Sequence, residues 1–264
     1  MKLDRRLAGK TVVITGGGSG IGKGAAQRIS TEGADVAVLD VRLPLAVEVA
    51  EELMAAGGNA MAIGCDVSDE SQVAAAMATT VERFGGIDGL FANAGTACLG
   101  WLHETTYEDW RSVLGVNLDG VFFCCKHTIP SMLERGGGSI VVTSSIAGSV
   151  AGGGGANVSY SVSKAGVIAL ARQIAVDYGD QGIRANAIQP GPVAGSNMGR
   201  HVAEDHADAS TPAVRMKRPK PWIPLRKAGD SRDEFGATVA FLLSDDAGYI
   251  TGTQLPVDGG YLAT

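Results

Sequence analysis

The chain has 264 residues, of which 38 are glycine, about twice the usual share of ~7%. Hydrophobic residues make up 45%, charged residues 19%, and the net charge is −6. This balance excludes a disordered chain, the clustering of the glycines excludes collagen, and the acidity argues against a nucleic-acid surface.

No apolar run reaches the roughly 18 residues of a membrane span. The start, MKLDRRLAGKTVVITGG, lacks the apolar stretch and small-residue cleavage site of a signal peptide. The four cysteines, Cys65, Cys98, Cys124 and Cys125, form no CxxC pair, which argues against zinc and disulfides. The expectation is a cytoplasmic protein with a small-molecule partner, no nucleic-acid or membrane partner and no metal.

In chain order, short β-branched runs alternate with longer helical stretches. Strands are predicted at 11–15, 35–40, 61–66, 89–92, 139–143, 185–189 and 254–257. Helices are predicted at 21–32, 45–56, 70–84, 107–134, 160–179 and 231–244. Most strands are apolar on both faces (VVIT, VAVL, SIVV), as parallel strands covered by helices are. The pattern predicts an α/β fold: a doubly wound, seven-stranded parallel sheet flanked by helices on both faces. No repeat or composition break divides it, so a single domain over 1–264 is expected. Residues 195–228 lack a period, and four of the nine prolines fall in 212–224. That segment reads as a substrate lid.

Six glycines fall in residues 16–24, within TGGGSGIGKG, after the first strand and at the opening of a helix. Glycine lets the backbone approach a pyrophosphate, and a helix N-terminus offers free N–H groups and a positive dipole end. Asp40 ends the second strand, 18 residues after Gly22. A carboxylate there accepts hydrogen bonds from the ribose hydroxyls of NAD and repels the 2′-phosphate of NADP. Arg42 nearby pulls the other way.

Tyr160 and Lys164 are spaced i, i+4, on one face of a helix. A free tyrosine has a pKa near ~10, too high for a base at neutral pH, and a neighbouring ammonium lowers it. Ser145, at the end of the preceding strand, is expected to reach the same substrate oxygen.

With these residues in place the sequence resembles the short-chain dehydrogenase/reductase family, in its single-domain branch. The likeness covers essentially the whole chain through TGGGSGIG (15–22), CDV (65–67), NAG (93–95), VN (116–117), SSIAG (144–148), YSVSK (160–164), NAIQPGPV (186–193) and VDGG (257–260). It implies a Rossmann-type fold, NAD as cofactor, a homotetramer, and hydride transfer to or from a secondary alcohol or ketone. It implies Tyr160 as general acid/base and Lys164 lowering its pKa while binding the nicotinamide ribose. Ser145 would polarise the substrate oxygen, and Asn117 would support a water that relays the Lys164 proton. Gly16, Ser19, Gly20, Ile21 and Gly22 would hold the pyrophosphate, Asp40 the adenosine ribose, and Asp66 with Val67 the adenine. Asn93 and Gly95 would line the cofactor's middle, and Pro190, Gly191 and Val193 would face the nicotinamide.

Three features depart from the family pattern. One of two asparagines before Ala-Gly is replaced by Ala92, while Asn93 is kept. Gly195, followed by Ser196 and Asn197, stands where a threonine usually bonds the carboxamide. A glycine run at 152–155 lengthens the link between Ser145 and Tyr160. The pocket wall is expected from 95–101, 147–157 and the lid, with Trp101, Met198 and Trp222 as apolar surface. His201, Glu204, Asp205, His206 and Asp208 read as part of a polar lid rather than a metal site. A second class of reading stays open: a non-catalytic dinucleotide-binding sensor or structural protein on the same fold.

Overall fold

The computed structural model describes residues 5–151, 157–195 and 222–264. The glycine run at 152–155, and with it Met198 and the rest of the expected lid between 196 and 221, lies outside the described residues.

Seven strands form one parallel sheet: β1 (Thr11–Thr15), β2 (Asp35–Asp40), β3 (Asn59–Gly64), β4 (Gly89–Ala92), β5 (Gly138–Thr143), β6 (Ile183–Pro190) and β7 (Gln254–Val257). Their order is β3-β2-β1-β4-β5-β6-β7. The helices are α1 (Gly20–Thr31), α2 (Leu43–Ala55), α3 (Glu70–Phe84), α4 (Tyr107–Leu114), α5 (Gly120–Glu134), α6 (Val158–Tyr178) and α7 (Ala237–Leu243). The chain winds outward from β1 to β3, then returns to place β4 on the other side of β1. At that reversal the loops after β1 and β4 diverge, leaving a crevice at the carboxyl ends of the strands.

Alternating side chains build two cores. Val13 faces the layer that includes Val121, Met132 and Val167 from α5 and α6. Val12 and Ile14 face the opposite layer, with Ile29, Val49 and Val239 from α1, α2 and α7. Both faces of β1 are buried, which explains its continuous apolar run.

Strands β1, β2, β4 and β7 have the predicted bounds. β3 begins and ends two residues earlier than the predicted 61–66. Its start is set by pairing of Asn59 with Asp35. Its end precedes a turn in which Asp66 Oδ1 accepts from Ser68 N at 2.9 Å. β3 is an edge strand and half-exposed, so its own apolar pattern is weak.

The single helix predicted over 107–134 is one helical run whose middle, Gly115–Asp119, widens into a π-type turn between α4 and α5. A similar turn, Ser231–Gly236, opens the predicted 231–244 helix before α7. Asp230 caps it, accepting from Arg232 N and Asp233 N at 2.9 and 2.8 Å.

Candidate active site

A cavity of about 880 Å³ occupies the crevice. At its floor Gly16 leaves β1 with φ +62°, and a Cβ on it would come within 2.9 Å of Ala94 Cα. A Cβ on Gly22 would sit 2.1 Å from Gly16 O. The turn and the first turn of α1 therefore pack backbone against backbone, and only glycine fits. Ser19 caps α1 with extended backbone but makes no side-chain cap bond. The first-turn N–H groups are thereby left for an anionic ligand. Ser19, Gly20 and Ile21 line the cavity. Gly22 is not among its lining residues and acts through packing.

The far end of the cavity is built by β2 and the residues after β3. Asp40 is almost fully buried. Its Oδ2 accepts from Gly18 N and its Oδ1 from Arg42 N, both at 3.0 Å. Two fixed main-chain donors orient the carboxylate while leaving further lone pairs. The Arg42 guanidinium lies 3.6 Å from Asp40 Oδ1 and donates to Ser19 Oγ at 3.3 Å. Asp66, Val67 and Cys65 complete this end. Burial, with Asp66 and Asp69 nearby, pushes the Cys65 thiol up to about 11, so it stays protonated and inert.

Asn93 joins three strands at the cavity's middle. Its Nδ2 donates to Thr15 O at 3.1 Å and Gly16 O at 3.3 Å, and its Oδ1 accepts from Thr143 Oγ1 at 3.1 Å. The single asparagine before Ala-Gly is thus enough to tie β1, β4 and β5 together. Gly95 lines the cavity beside it.

Asn117 sits in the π-type turn and is fully buried. Its Oδ1 accepts from Thr96 N at 2.8 Å, and its Nδ2 donates to Thr96 O at 2.9 Å and Ser163 Oγ at 3.1 Å. Ser163 Oγ in turn donates to Tyr160 O at 2.7 Å. These bonds make the Asn117 side chain a brace between neighbouring elements. It fastens the loop after β4 to the first turn of α6, and Asn117 is not among the cavity-lining residues.

Ser145, Tyr160 and Lys164 meet at the remaining end. Ser145 Oγ accepts from Ala147 N at 3.1 Å, so its own proton is free to point elsewhere. Lys164 is buried and donates from Nζ to Thr143 O at 2.7 Å, with Nζ 5.7 Å from the Tyr160 ring centre. Burial brings the Lys164 ammonium down to about 8. Burial also pushes the Tyr160 phenol above its ordinary value, and the Ser145 hydroxyl pulls it part of the way back. Desolvation is the larger effect on the phenol, and the Ser145 hydroxyl is the group that opposes it.

Pro190, Gly191 and Val193 form the opposite wall. Gly191 N donates to Val257 O at 3.0 Å, and a Cβ on Gly191 would meet Asp258 Cα at 2.7 Å. Thus the VDGG motif positions the wall from behind. Gly195 also lines the cavity, where the family's threonine would stand. Ser196 and Asn197, and the acidic and histidine residues of the expected lid, lie outside the described residues.

The wall expected at 95–101 reaches only as far as Ala97, and neither Trp101 nor Trp222 lines the cavity. Trp222 is 59% exposed. The sequence assigned no role to Thr143 or Ser144, which also line the cavity. Thr143, at a strand's carboxyl end, carried a signal of position alone.

A family model described as enoyl-(acyl carrier protein) reductase matches residues 16–262. The chain is 38% identical over 256 residues to a 2,5-dichloro-2,5-cyclohexadiene-1,4-diol dehydrogenase of Sphingobium indicum, covering 97% of both chains. It is 38% identical over 259 residues to meso-2,3-butanediol dehydrogenase of Serratia marcescens, covering 98% of this chain and 97% of that one. Among solved structures it matches levodione reductase with a TM-score of 0.88 and 35% identity, over 98% of this chain and 99% of that one. The chain belongs to the short-chain dehydrogenase/reductase family. It is an oxidoreductase of the alcohol dehydrogenase/ketone reductase type.

Proposed function

We propose that the protein is an NAD-dependent dehydrogenase of neutral secondary alcohols, working also as the ketone reductase, with Tyr160 as general acid/base. The observation that carries this reading is the meeting of Ser145, Tyr160 and Lys164 at one end of a cavity whose other end is a glycine turn closed by Asp40. The cradle fits a dinucleotide. The α1 N-terminus would take the pyrophosphate, the Asp40 carboxylate the adenosine ribose, and Asp66 with Val67 the adenine. Asn93, Gly95, Pro190, Gly191 and Val193 would enclose the nicotinamide half. A bound nicotinamide cofactor supplies hydride acceptance and donation.

In alcohol oxidation the Tyr160 oxygen takes the hydroxyl proton; in ketone reduction it returns one. Ser145, whose Oγ already accepts from Ala147 N, donates its own proton to the substrate oxygen and orients it. Lys164 is held by Thr143 O with its ammonium beside the tyrosine, where it stabilises the phenolate as it forms.

Ala94, Ala97, Pro192 and Val193 give the cavity lining apolar surface. Lys164 is the charged side chain that lines the Ser145 and Tyr160 end among the described residues, and it is engaged with the main chain. An uncharged substrate with an apolar body suits that surface. The Asp40 carboxylate supports NAD over its 2′-phosphorylated form, which it would repel. The non-catalytic alternative is not favoured, because it gives no reason for a buried lysine beside a tyrosine and a serine.

The test is turnover of a panel of neutral secondary alcohols with NAD⁺ and NADP⁺. The expected result is NAD⁺-dependent oxidation that Tyr160→Phe reduces by about 10³-fold or more while NADH binding is unchanged. Retained activity in Tyr160→Phe, or a strong NADP⁺ preference, overturns the corresponding part of the reading.

A further inference from the structure

Gln189 lies in β6 directly before Pro190 and Gly191, and pairs with Pro256 in β7. It is 1% exposed. Its Nε2 donates to Ser145 O at 3.2 Å and to Ser149 Oγ at 2.7 Å. Its Oε1 is buried without a hydrogen-bond partner among the described residues. The amide cannot be turned over to cure this, because Oε1 would then face the Ser145 carbonyl, which only accepts. A buried amide oxygen left unpaired costs at least as much as an ordinary hydrogen bond returns. An apolar side chain of the same size would therefore hold the fold about as well, and stability alone does not account for a glutamine here.

What the glutamine does provide is geometry around Ser145. Ser145 has extended backbone and starts a single tight turn, Ile146–Gly148, in which Gly148 N donates to Ser145 O at 2.9 Å. Ser149, just past that turn, is exposed. Its hydroxyl is tied to the sheet by Gln189 Nε2. The amide thus clamps both ends of the turn to the last residues of β6. The same strand end carries Pro190 and Gly191 into the opposite wall of the cavity.

We propose that Gln189 is a positioning residue, which fixes the Ser145 hydroxyl against the reacting oxygen by clamping Ser145 O and Ser149 Oγ. The proposal rests on Ser145 and Tyr160 acting as described above. It goes beyond that reading by placing control of the serine in β6, outside the cavity lining. Loss of the clamp leaves the Gly148 bond and the sheet ladder intact, so the fold survives while the serine gains freedom. A small displacement at a reacting centre is enough to slow the chemical step.

The test is Gln189→Leu in the full-length protein, assayed with a neutral secondary alcohol and NAD⁺. The expected result is a fall in kcat of about tenfold, with KM, the NADH dissociation constant and Tm unchanged. In a Ser145→Ala background the same substitution is expected to change single-turnover rate by less than about twofold, because no hydroxyl remains to be positioned. Ser149→Ala, at an exposed site that does not threaten folding, is expected to give a smaller loss that disappears in the Gln189→Leu background. Wild-type kcat in Gln189→Leu overturns the proposal, as does an undiminished loss in the Ser145→Ala background. A joint fall of Tm and cofactor affinity also overturns it, since that marks a merely structural residue. Turnover retained in Tyr160→Phe, or none in the wild type, overturns the catalytic reading and this proposal with it. Wild-type turnover with an unaffected Gln189→Leu overturns the proposal alone.

Discussion

At Tyr160 burial raises the phenol above its ordinary value while Ser145 works against it, and at Lys164 burial lowers the ammonium to about 8. The two shifts set the pH dependence. Oxidation needs the phenolate, whose fraction grows about tenfold per pH unit below its pKa, so kcat/KM for an alcohol should rise with pH. Ketone reduction needs the phenol and should fall over the same alkaline range. The rise in oxidation should weaken above about pH 8, where Lys164 gives up its charge. Parallel pH profiles in the two directions check this, and oxidation that declines between pH 6 and about 8 contradicts it. The sequence identified this pair by its i, i+4 spacing together with Ser145 at the end of the preceding strand. It could not show that desolvation raises the phenol, because burial depends on what α6 packs against.

On the scale of elements, the N-terminal end of the fold is held by a buried carboxylate. Glu32, just past α1, is fully buried and accepts from Arg6 Nε and Nη2 at 2.7 Å each and from Arg28 Nε at 2.6 Å. Burial opposes its charge, but the hydrogen bonds from Arg6 and Arg28 outweigh that and hold its pKa below the ordinary value. A lowered carboxylate stabilises the fold above its ordinary pKa, and that contribution is lost as pH falls through the folded value. Glu32→Ala should therefore cost about 3 kcal/mol near neutral pH, less than a fully buried triad would, since both arginines reach water. Denaturant unfolding at neutral and acidic pH measures it, and an equal cost at both would contradict the linkage.

Element bounds show the same division. The ends of β1 and β2 are marked by their own apolar runs, whereas β3 takes its start from pairing with Asp35. The π-type turn around Asn117 lies inside a helical pattern that reads as continuous. It carries the Asn117 side chain that bonds both Thr96 and Ser163, partners that lie on neighbouring elements.

For the whole molecule, two cores bury both faces of the sheet, yet large apolar side chains stay outside. Phe122 on α5 and Val162 and Val176 on α6 are 46%, 43% and 79% exposed. Apolar residues on two adjacent helices support association with further copies of the chain, and a homotetramer is the expected state. Light scattering on the purified protein should give four times the chain mass, and a monomer would contradict the expectation.

Composition and alternation were enough to determine a doubly wound sheet, and the glycine turn marked one end of its crevice, because burial on both faces and a Cβ-free turn leave a local mark in the sequence; most of the other crevice residues were implied by the family resemblance. Only the tertiary structure decided that Asn117 braces rather than lines, that Trp101 and Trp222 stand away from the cavity, and that Gln189 grips Ser145. Each of these rests on contacts between residues far apart in the chain, and residue type and spacing carry no record of such contacts.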